Sequence, residues 1–170
     1  MPRIGGNQSN PERHPTDLYP TNPAWTEALL DQVHLRGAVW ECAAGNGDMV
    51  RVLEARGYLV RATDLLAGCD FLKQTAPWPG SIVTNPPYSL AEEFVAHAID
   101  LGAEQVAMLL PIGFLGSQRR FHRLWSVRPP TTVIIISSRM IVNGAASQFN
   151  HCWCVFDQLD PARTELRWVL

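Results

Sequence analysis

The sequence predicts one α/β domain, a sandwich in which helices cover a mostly parallel, seven-stranded sheet that ends in an antiparallel hairpin. The chain has 170 residues, of which 46% are hydrophobic and 18% are charged. This length and this composition are typical of one globular domain. Strand and helix patterns alternate as far as residue 125, and three strand patterns then follow without helices. Alternation indicates parallel strands joined by helices, and consecutive strands indicate antiparallel pairing.

Four segments carry the signals of helices. Asn22 is a favoured N-cap, and Pro23 suits the first helical position. In the other segments apolar residues recur at spacings of three and four, which is the period of a helix with one buried face. The predicted helices cover residues 22–37, 48–57, 90–101 and 117–125.

Seven short segments are rich in β-branched and other apolar residues and lack the helical period. The run from Thr132 to Ser137 is the clearest of them, because it contains a valine and three isoleucines in succession. Most of these segments end at glycine, proline, asparagine or aspartate, which favour turns. The predicted strands cover residues 38–44, 58–63, 81–84, 105–110, 132–137, 152–156 and 165–169.

Composition and charge limit the classes of partner. Residues 1–16 are rich in Asn, Pro, Arg and Gly, so we expect a flexible lead-in before a single domain at 17–170. No apolar run approaches the roughly 18 residues of a membrane span, and the polar N-terminus does not resemble a signal peptide. We therefore expect a cytoplasmic protein without a membrane partner. The net charge of −2 argues against binding nucleic acid through charge alone. Four cysteines without a CxxC pair indicate buried thiols and no metal site.

The first motif that points to a ligand lies where the strand at 38–44 leads into a helix. It reads Glu41-Cys-Ala-Ala-Gly45-Asn-Gly47-Asp48. Glycines there permit a sharp turn and the close approach of a ligand, and a helix N-terminus stabilises negative charge. The next strand ends at Asp64, and an acid in that position can accept both hydroxyls of a ribose. The motif predicts a nucleotide-like ligand; the alternative is a tight turn that binds nothing.

The second motif is the tetrapeptide from Asn85 to Tyr88, Asn-Pro-Pro-Tyr, which follows a predicted strand. Two successive prolines fix the backbone and remove two N–H groups, so the carbonyls around them become fixed acceptors. Asn85 adds an amide oxygen, and Tyr88 adds a flat aromatic face. Together these groups suit a planar amino group attached to a ring. The alternative is a rigid turn without a ligand.

These motifs, in this order and with Asp70-Phe71 between them, resemble the S-adenosylmethionine-dependent amino-methyltransferases. The nearest likeness is to the small adenine-N6 DNA methyltransferases of phages and prophages, and it spans about residues 15–158. The resemblance implies a Rossmann-like class I methyltransferase fold and a bacterial or phage-infected cell as the setting. It also implies S-adenosylmethionine as the cofactor, S-adenosylhomocysteine as the product, and no metal.

The resemblance assigns a role to each matching position. The residues that would contact the cofactor are Tyr19 and Thr21 at its methionine end, Glu41, Ala43, Gly45 and Gly47 along its floor, Asp64 at the ribose, and Asp70 and Phe71 at the adenine ring. Asn85 and the carbonyl of Pro86, fixed by Pro87, would hold the target amino group. Tyr88 would stack on a base turned out of its helix.

The expected partner is DNA, with RNA as a second possibility. The cluster formed by Arg119, Arg120 and Arg123 would contact phosphates, unless it is only a solvated helix face. Phe149 and Trp153 would provide a second aromatic wall, unless they belong to the core. Members of this family that act alone usually carry a separate target-recognition segment. Only about 25 residues, 115–139, are available for one here, so we expect no separate recognition domain and weak sequence selectivity.

Three functions are consistent with these motifs. The favoured one is methyl transfer to the N6 amino group of adenine in DNA, and transfer to cytosine N4 is a less favoured form of it. The second uses the same tetrapeptide on amino groups of RNA bases or on a protein glutamine. The third is a cofactor-binding module or partner subunit without catalysis, and the presence of both motifs argues against it.

Overall fold

The computed structural model describes residues 20–138, 141–142, 145–146, 150–159 and 163–170. The predicted lead-in at 1–16, Tyr19 and Phe149 lie outside the described residues. In the described part of the chain, no helix is long and apolar enough to cross a membrane.

All seven predicted strands form. They are β1 (Val39–Glu41), β2 (Val60–Ala62), β3 (Ser81–Thr84), β4 (Gln105–Pro111), β5 (Thr132–Ile136), β8 (His151–Asp157) and β9 (Glu165–Val169). They join in one sheet with the order β2-β1-β3-β4-β8-β5-β9. Two further strands, β6 (Ile141–Val142) and β7 (Ala145–Ala146), pair with each other in a separate antiparallel ribbon. The ribbon belongs to the connection between β5 and β8.

The predicted fold class is confirmed, with one difference in how the last strands pair. Strands β1 to β4 pair in parallel with one another, and β8 is antiparallel to both β4 and β5. The antiparallel pairing expected near the C-terminus therefore involves β5 and β8. The last two strands do not form a hairpin with each other, because β4 and β5 already occupy both edges of β8. Strand β9 instead adds to the free edge of β5, in parallel.

Helices cover both faces of the sheet. These are α1 (Pro23–Gln32), α2 (Asp48–Ala55), α3 (Ala91–Asp100) and α4 (Gln118–Arg120), and α4 continues as a wider helical turn over Phe121–Trp125. The Asn22 side chain caps α1 by accepting from the Ala24 amide at 3.0 Å, as the sequence predicts. This helix ends at Gln32, before the predicted Gly37, because the chain then extends to bury Leu35 in the core.

The core lies in two layers, one on each face of the sheet, and β4 shows the division most clearly. Its residues Val106, Met108 and Leu110 belong to the layer under α3. The alternating residues Ala107 and Leu109 belong to the layer under α1 and α2. All five side chains are at most 1% exposed, as expected for a strand covered on both faces.

The strand order places a crevice beside β1. Strand β2 pairs with one edge of β1, whereas β3 pairs with the other edge and β4 follows beyond it. Ligands of open α/β sheets bind at such a reversal, beyond the carboxyl ends of the strands. Both motifs follow carboxyl ends at this place, since Glu41 ends β1 and Asn85 directly follows β3.

Candidate active site

A cavity of about 620 Å³ opens at this reversal. Its volume lies in the range of about 300–1,000 Å³ that small-molecule sites occupy. Nine of the residues that the sequence predicts for the site line it: Thr21, Glu41, Ala43, Gly45, Asp64, Asp70, Phe71, Asn85 and Pro87. Among the described residues, no three His, Cys, Asp or Glu side chains lie together as a metal site would require.

The two glycines of the first motif have different positions in the turn. Both have positive φ, +48° at Gly45 and +76° at Gly47, which a residue with a side chain rarely adopts. Gly45 lines the cavity, and its amide donates to Asp64 Oδ2 at 2.9 Å. Gly47 is the N-cap of α2, and its amide donates to the Ala44 carbonyl at 2.7 Å. It shapes the turn but is not part of the cavity wall.

Glu41 is the most deeply buried acid of the site, with 1% of its surface exposed. Its Oε1 accepts from the Ala43 amide at 3.0 Å and from the Thr84 hydroxyl at 2.5 Å. Burial raises the pKa of Glu41 from 4.5 to about 7, although these two hydrogen bonds favour the ionised form. The negative charge of Asp64 raises this pKa further. Glu41 is therefore partly protonated near neutral pH, and a cation in the cavity would favour its ionised form.

Asp64 connects the glycine turn to the end of β2. Besides the bond from Gly45, its Oδ1 accepts from the Leu66 amide at 2.8 Å. Each carboxylate oxygen has a further lone pair, so both can still accept a hydroxyl. Leu65 and Leu66, which follow it, line the cavity although they are 67% and 76% exposed. They give the polar site an apolar rim.

Asp70 and Phe71 form another part of the wall. The Asp70 carboxylate accepts from the Leu72 amide at 3.1 Å and pairs with Lys73 Nζ at 3.1 Å. Phe71 is 2% exposed, and its ring lies 5.3 Å from that of Trp40 and 4.9 Å from that of Phe94. The ring that meets the cavity is thus held rigidly by the core.

The tetrapeptide brings Asn85 and Pro87 to the same cavity as the glycine turn, although the two motifs are far apart in the sequence. Asn85 Nδ2 donates to the Thr21 hydroxyl at 3.1 Å, which fixes the orientation of the amide group. Pro86 is buried. The half-buried Tyr88 ring lies 5.8 Å from the ring of His151. Pro86 and Tyr88 do not line the large cavity, but Tyr88 lines a smaller one beside it.

The predicted arginine cluster forms, but it surrounds an acid. Arg119, Arg120 and Arg123 approach the carboxylate of Glu92 on α3, with N–O distances of 3.3, 4.0 and 2.9 Å. The Glu92 side chain is 11% exposed, whereas those of Arg119 and Arg123 are above 60% exposed. The cluster therefore keeps an excess of positive charge and does not extend freely into solvent.

Trp153 does not form an aromatic wall. It is 0% exposed in the centre of β8, and its indole N–H donates to the Trp25 carbonyl at 2.8 Å. Of the two interpretations of Trp153, the core position is confirmed and the contact with a base is wrong. Alternate side chains of β8 enter the two core layers, so both faces of this strand are covered.

Three residues with a part in the site were not predicted. Thr84 donates to Glu41, Glu92 gathers the arginines, and His151 packs between Tyr88 and Trp25 with ring distances of 5.8 and 5.2 Å. Thr84 carried a signal, since it is a polar residue that follows the apolar Ile82 and Val83 and directly precedes Asn85. The other two gave none, because their contacts join residues that are far apart in the sequence.

Comparison with known proteins gives a likeness of fold alone. No family model and no curated protein matches the sequence. Among solved structures, a modification subunit of a putative type I restriction enzyme from Vibrio vulnificus YJ016 aligns with 86% of this chain and 45% of its own length, at 15% identity and a TM-score of 0.58. The type IIG restriction endonuclease BpuSI aligns with 82% of this chain and 25% of its own length, at 13% identity and a TM-score of 0.59.

A component of a type I restriction–modification system aligns with 89% of this chain at 13% identity and a TM-score of 0.53. The chain has the class I methyltransferase fold. It spans less than half the length of each of these three structures. What the fold binds and modifies here must therefore be argued from this chain's own residues.

Proposed function

We propose that this chain transfers a methyl group from S-adenosylmethionine to the exocyclic amino group of a base, adenine N6 in DNA being the favoured acceptor. The observation that carries the proposal is the convergence of the two motifs. Glu41, Gly45 and Asp64 line the same cavity as Asn85 and Pro87, although about 40 residues separate the motifs in the sequence. A site that only binds a cofactor has no use for the second set.

The cavity fits S-adenosylmethionine in both size and charge. The cofactor supplies a methyl group on a positively charged sulfur. Glu41 would meet its positively charged methionine end, and Asp64 would accept the ribose hydroxyls. The rigid ring of Phe71 and the apolar rim at Leu65 and Leu66 suit a flat adenine ring.

The tetrapeptide would hold and activate the amine. The lone pair of an exocyclic amine is delocalised into its ring, which makes the amine a poor nucleophile. Hydrogen bonds from its two N–H groups to Asn85 Oδ1 and to the Pro86 carbonyl would localise that lone pair and direct it along the line of transfer. Thr21 orients the Asn85 amide for this task, since it takes the Nδ2 hydrogen bond and not Oδ1.

One observation supports a nucleic acid as the acceptor. An aromatic ring and arginines lie together beside the tetrapeptide, as recognition of a base and its phosphates requires. Within this class, the resemblance of the motifs to adenine-N6 DNA methyltransferases favours DNA. The protein-glutamine alternative has no comparable use for the arginines.

The proposal is tested by transfer of tritiated methyl groups from S-adenosylmethionine to single-stranded DNA, duplex DNA, RNA and protein in parallel, followed by nucleoside and amino-acid analysis. We expect N6-methyladenine from DNA, with more product from single strands because extrusion from a duplex costs a few kcal/mol. Label confined to RNA or to glutamine would replace the proposed acceptor. Cofactor binding without transfer to any acceptor would leave only the binding module.

A further inference from the structure

A second cavity, of about 110 Å³, lies beside the tetrapeptide. One wall comes from the turn after β3 and the start of α3, with Tyr88, Ser89 and Glu92. The other comes from the segment after β4, with Arg119 and Arg120. Ser89 also lines the large cavity, so the two cavities are neighbours. A group bound in the second would lie next to whatever stacks on Tyr88.

Two guanidinium groups, of Arg119 and Arg120, line this cavity together with the carboxylates of Glu92 and Glu93, so the lining itself has no net charge. Arg123 lies outside the lining, pairs with Glu92 Oε1 at 2.9 Å and offsets its negative charge. With Arg123 included, one positive charge is in excess, which favours an anion. The exposed side chain of Arg119 can turn to a ligand without disturbing the core, and an exposed ion pair such as the one with Glu92, at 3.3 Å, contributes little stability.

Arg120 is held in place before any ligand arrives. Its guanidinium lies 4.0 Å from the centre of the Phe114 ring, and its Nη1 donates to the Phe114 carbonyl at 3.1 Å. Its Nε is buried and faces Glu92 Oε2 at 4.0 Å. A guanidinium held in this way suits the tetrahedral oxygens of a phosphate, because little side-chain entropy is lost on binding.

We infer that this second cavity binds a backbone phosphate next to the acceptor base, with Arg120 as its fixed donor and Arg119 as its mobile one. The inference rests on the proposed function, because it takes the base on Tyr88 as given. It names the acceptor class as a polynucleotide, whose every base carries an adjacent phosphate. DNA and RNA share this chemistry, and a glutamine side chain lacks it.

The test measures the affinity of a short single-stranded oligodeoxynucleotide containing one adenine, with S-adenosylhomocysteine bound. Arg120→Gln and Arg119→Gln are compared with Arg128→Gln, a matched control that pairs with Asp100 and does not line the cavity. We expect Arg120→Gln to weaken binding about tenfold and to lower the salt slope by about one. Arg128→Gln should change the affinity less than twofold.

A second arm replaces the phosphate next to the adenine by an uncharged methylphosphonate. The wild type should lose about tenfold in affinity, and Arg120→Gln should lose little more, because its contact is already absent. Arg120→Lys keeps the charge and guards against a folding defect, so it should recover part of the loss. The same series with an RNA oligonucleotide shows whether the phosphate of either polymer is bound.

The inference and the proposed function can fail separately, because binding needs no turnover. Equal losses in Arg120→Gln and Arg128→Gln, or an unchanged methylphosphonate effect in Arg120→Gln, would overturn the phosphate site while methyl transfer continued. A wild type that binds neither DNA nor RNA would overturn it as well. Phosphate-dependent binding without any methyl transfer would support the site and remove the proposed function.

Discussion

The two cavities that meet at Ser89 differ in charge, size and origin. The large one is lined by Glu41, which ends β1, and by Asp64 and Asp70, which lie in the segment after β2. The small one has arginines in its wall and lies between the ends of β3 and β4. An acidic cavity suits a cation such as S-adenosylmethionine, and arginines whose acidic neighbour is paired with a further arginine suit a phosphate.

Under the proposed function, this difference would let one fold hold a positively charged donor and a negatively charged acceptor side by side. Acidic residues lie at the end of β1 and after β2, whereas the segment after β4 supplies the arginines. The uncharged tetrapeptide after β3 lies between these two groups. If this division is correct, changes on the acidic side should alter cofactor binding. Changes at the tetrapeptide should alter transfer.

The largest effect is expected at Asn85. Asn85→Ala should lower the rate of methyl transfer by about a hundred- to a thousandfold, because it removes an acceptor that acts on the reacting amine. Affinity for S-adenosylhomocysteine, measured by calorimetry, should change little. The matched variant Asn85→Asp keeps an acceptor oxygen and should retain much more transfer. Turnover of Asn85→Ala near the wild-type rate would show that the tetrapeptide does not bind the amine.

Glu41 gives the next effect, and it depends on pH. Moving the pKa of this acid from 4.5 to about 7 corresponds to about 3 kcal/mol. Since the folded state holds the proton more tightly, this stability is complete below pH 4.5 and is lost as the pH rises through 7. Glu41→Gln should therefore unfold with a flatter pH dependence and be more stable than the wild type at about pH 8. Parallel pH profiles in denaturant titrations would contradict this expectation.

Asp64 should have a smaller effect, on cofactor binding alone. Asp64→Ala should weaken binding of S-adenosylmethionine by about 1.5–3 kcal/mol, the usual cost of a lost hydrogen bond to a charged group. The variant also removes the acceptor of the Gly45 amide, so the turn itself loosens. Asp31→Ala, which removes an exposed acid paired with Arg56, is the control and should leave the affinity unchanged. Equal affinities in calorimetry would exclude Asp64 from the site.

The residues of the two cavities also differ in how well the sequence alone predicts them. Most predicted residues of the large cavity were accessible because they lie within a few positions of a strand end or a helix cap, where caps, glycines and alternation are local signals. The arginine cluster beside the small cavity depends on contacts between distant segments, and Arg123 with Glu92 is one example. The two interpretations of Trp153 could not be separated for a related reason, since only the packing of both core layers against β8 shows that each face of this strand is covered. The parallel pairing of β9 follows from the strand order β4-β8-β5.

Thr21 lies between the two sides, and the smallest expected effect separates its two possible roles. Resemblance assigns it to the cofactor, whereas its hydroxyl accepts from Asn85 at 3.1 Å and is largely buried. If orienting Asn85 is its task, Thr21→Val should lower kcat about fivefold, the cost of one neutral hydrogen bond of about 1 kcal/mol. The affinity for S-adenosylhomocysteine should stay constant, and Thr21→Ser should restore kcat because it keeps the hydroxyl. Weaker cofactor binding at an unchanged kcat would instead place Thr21 with the acids of the large cavity.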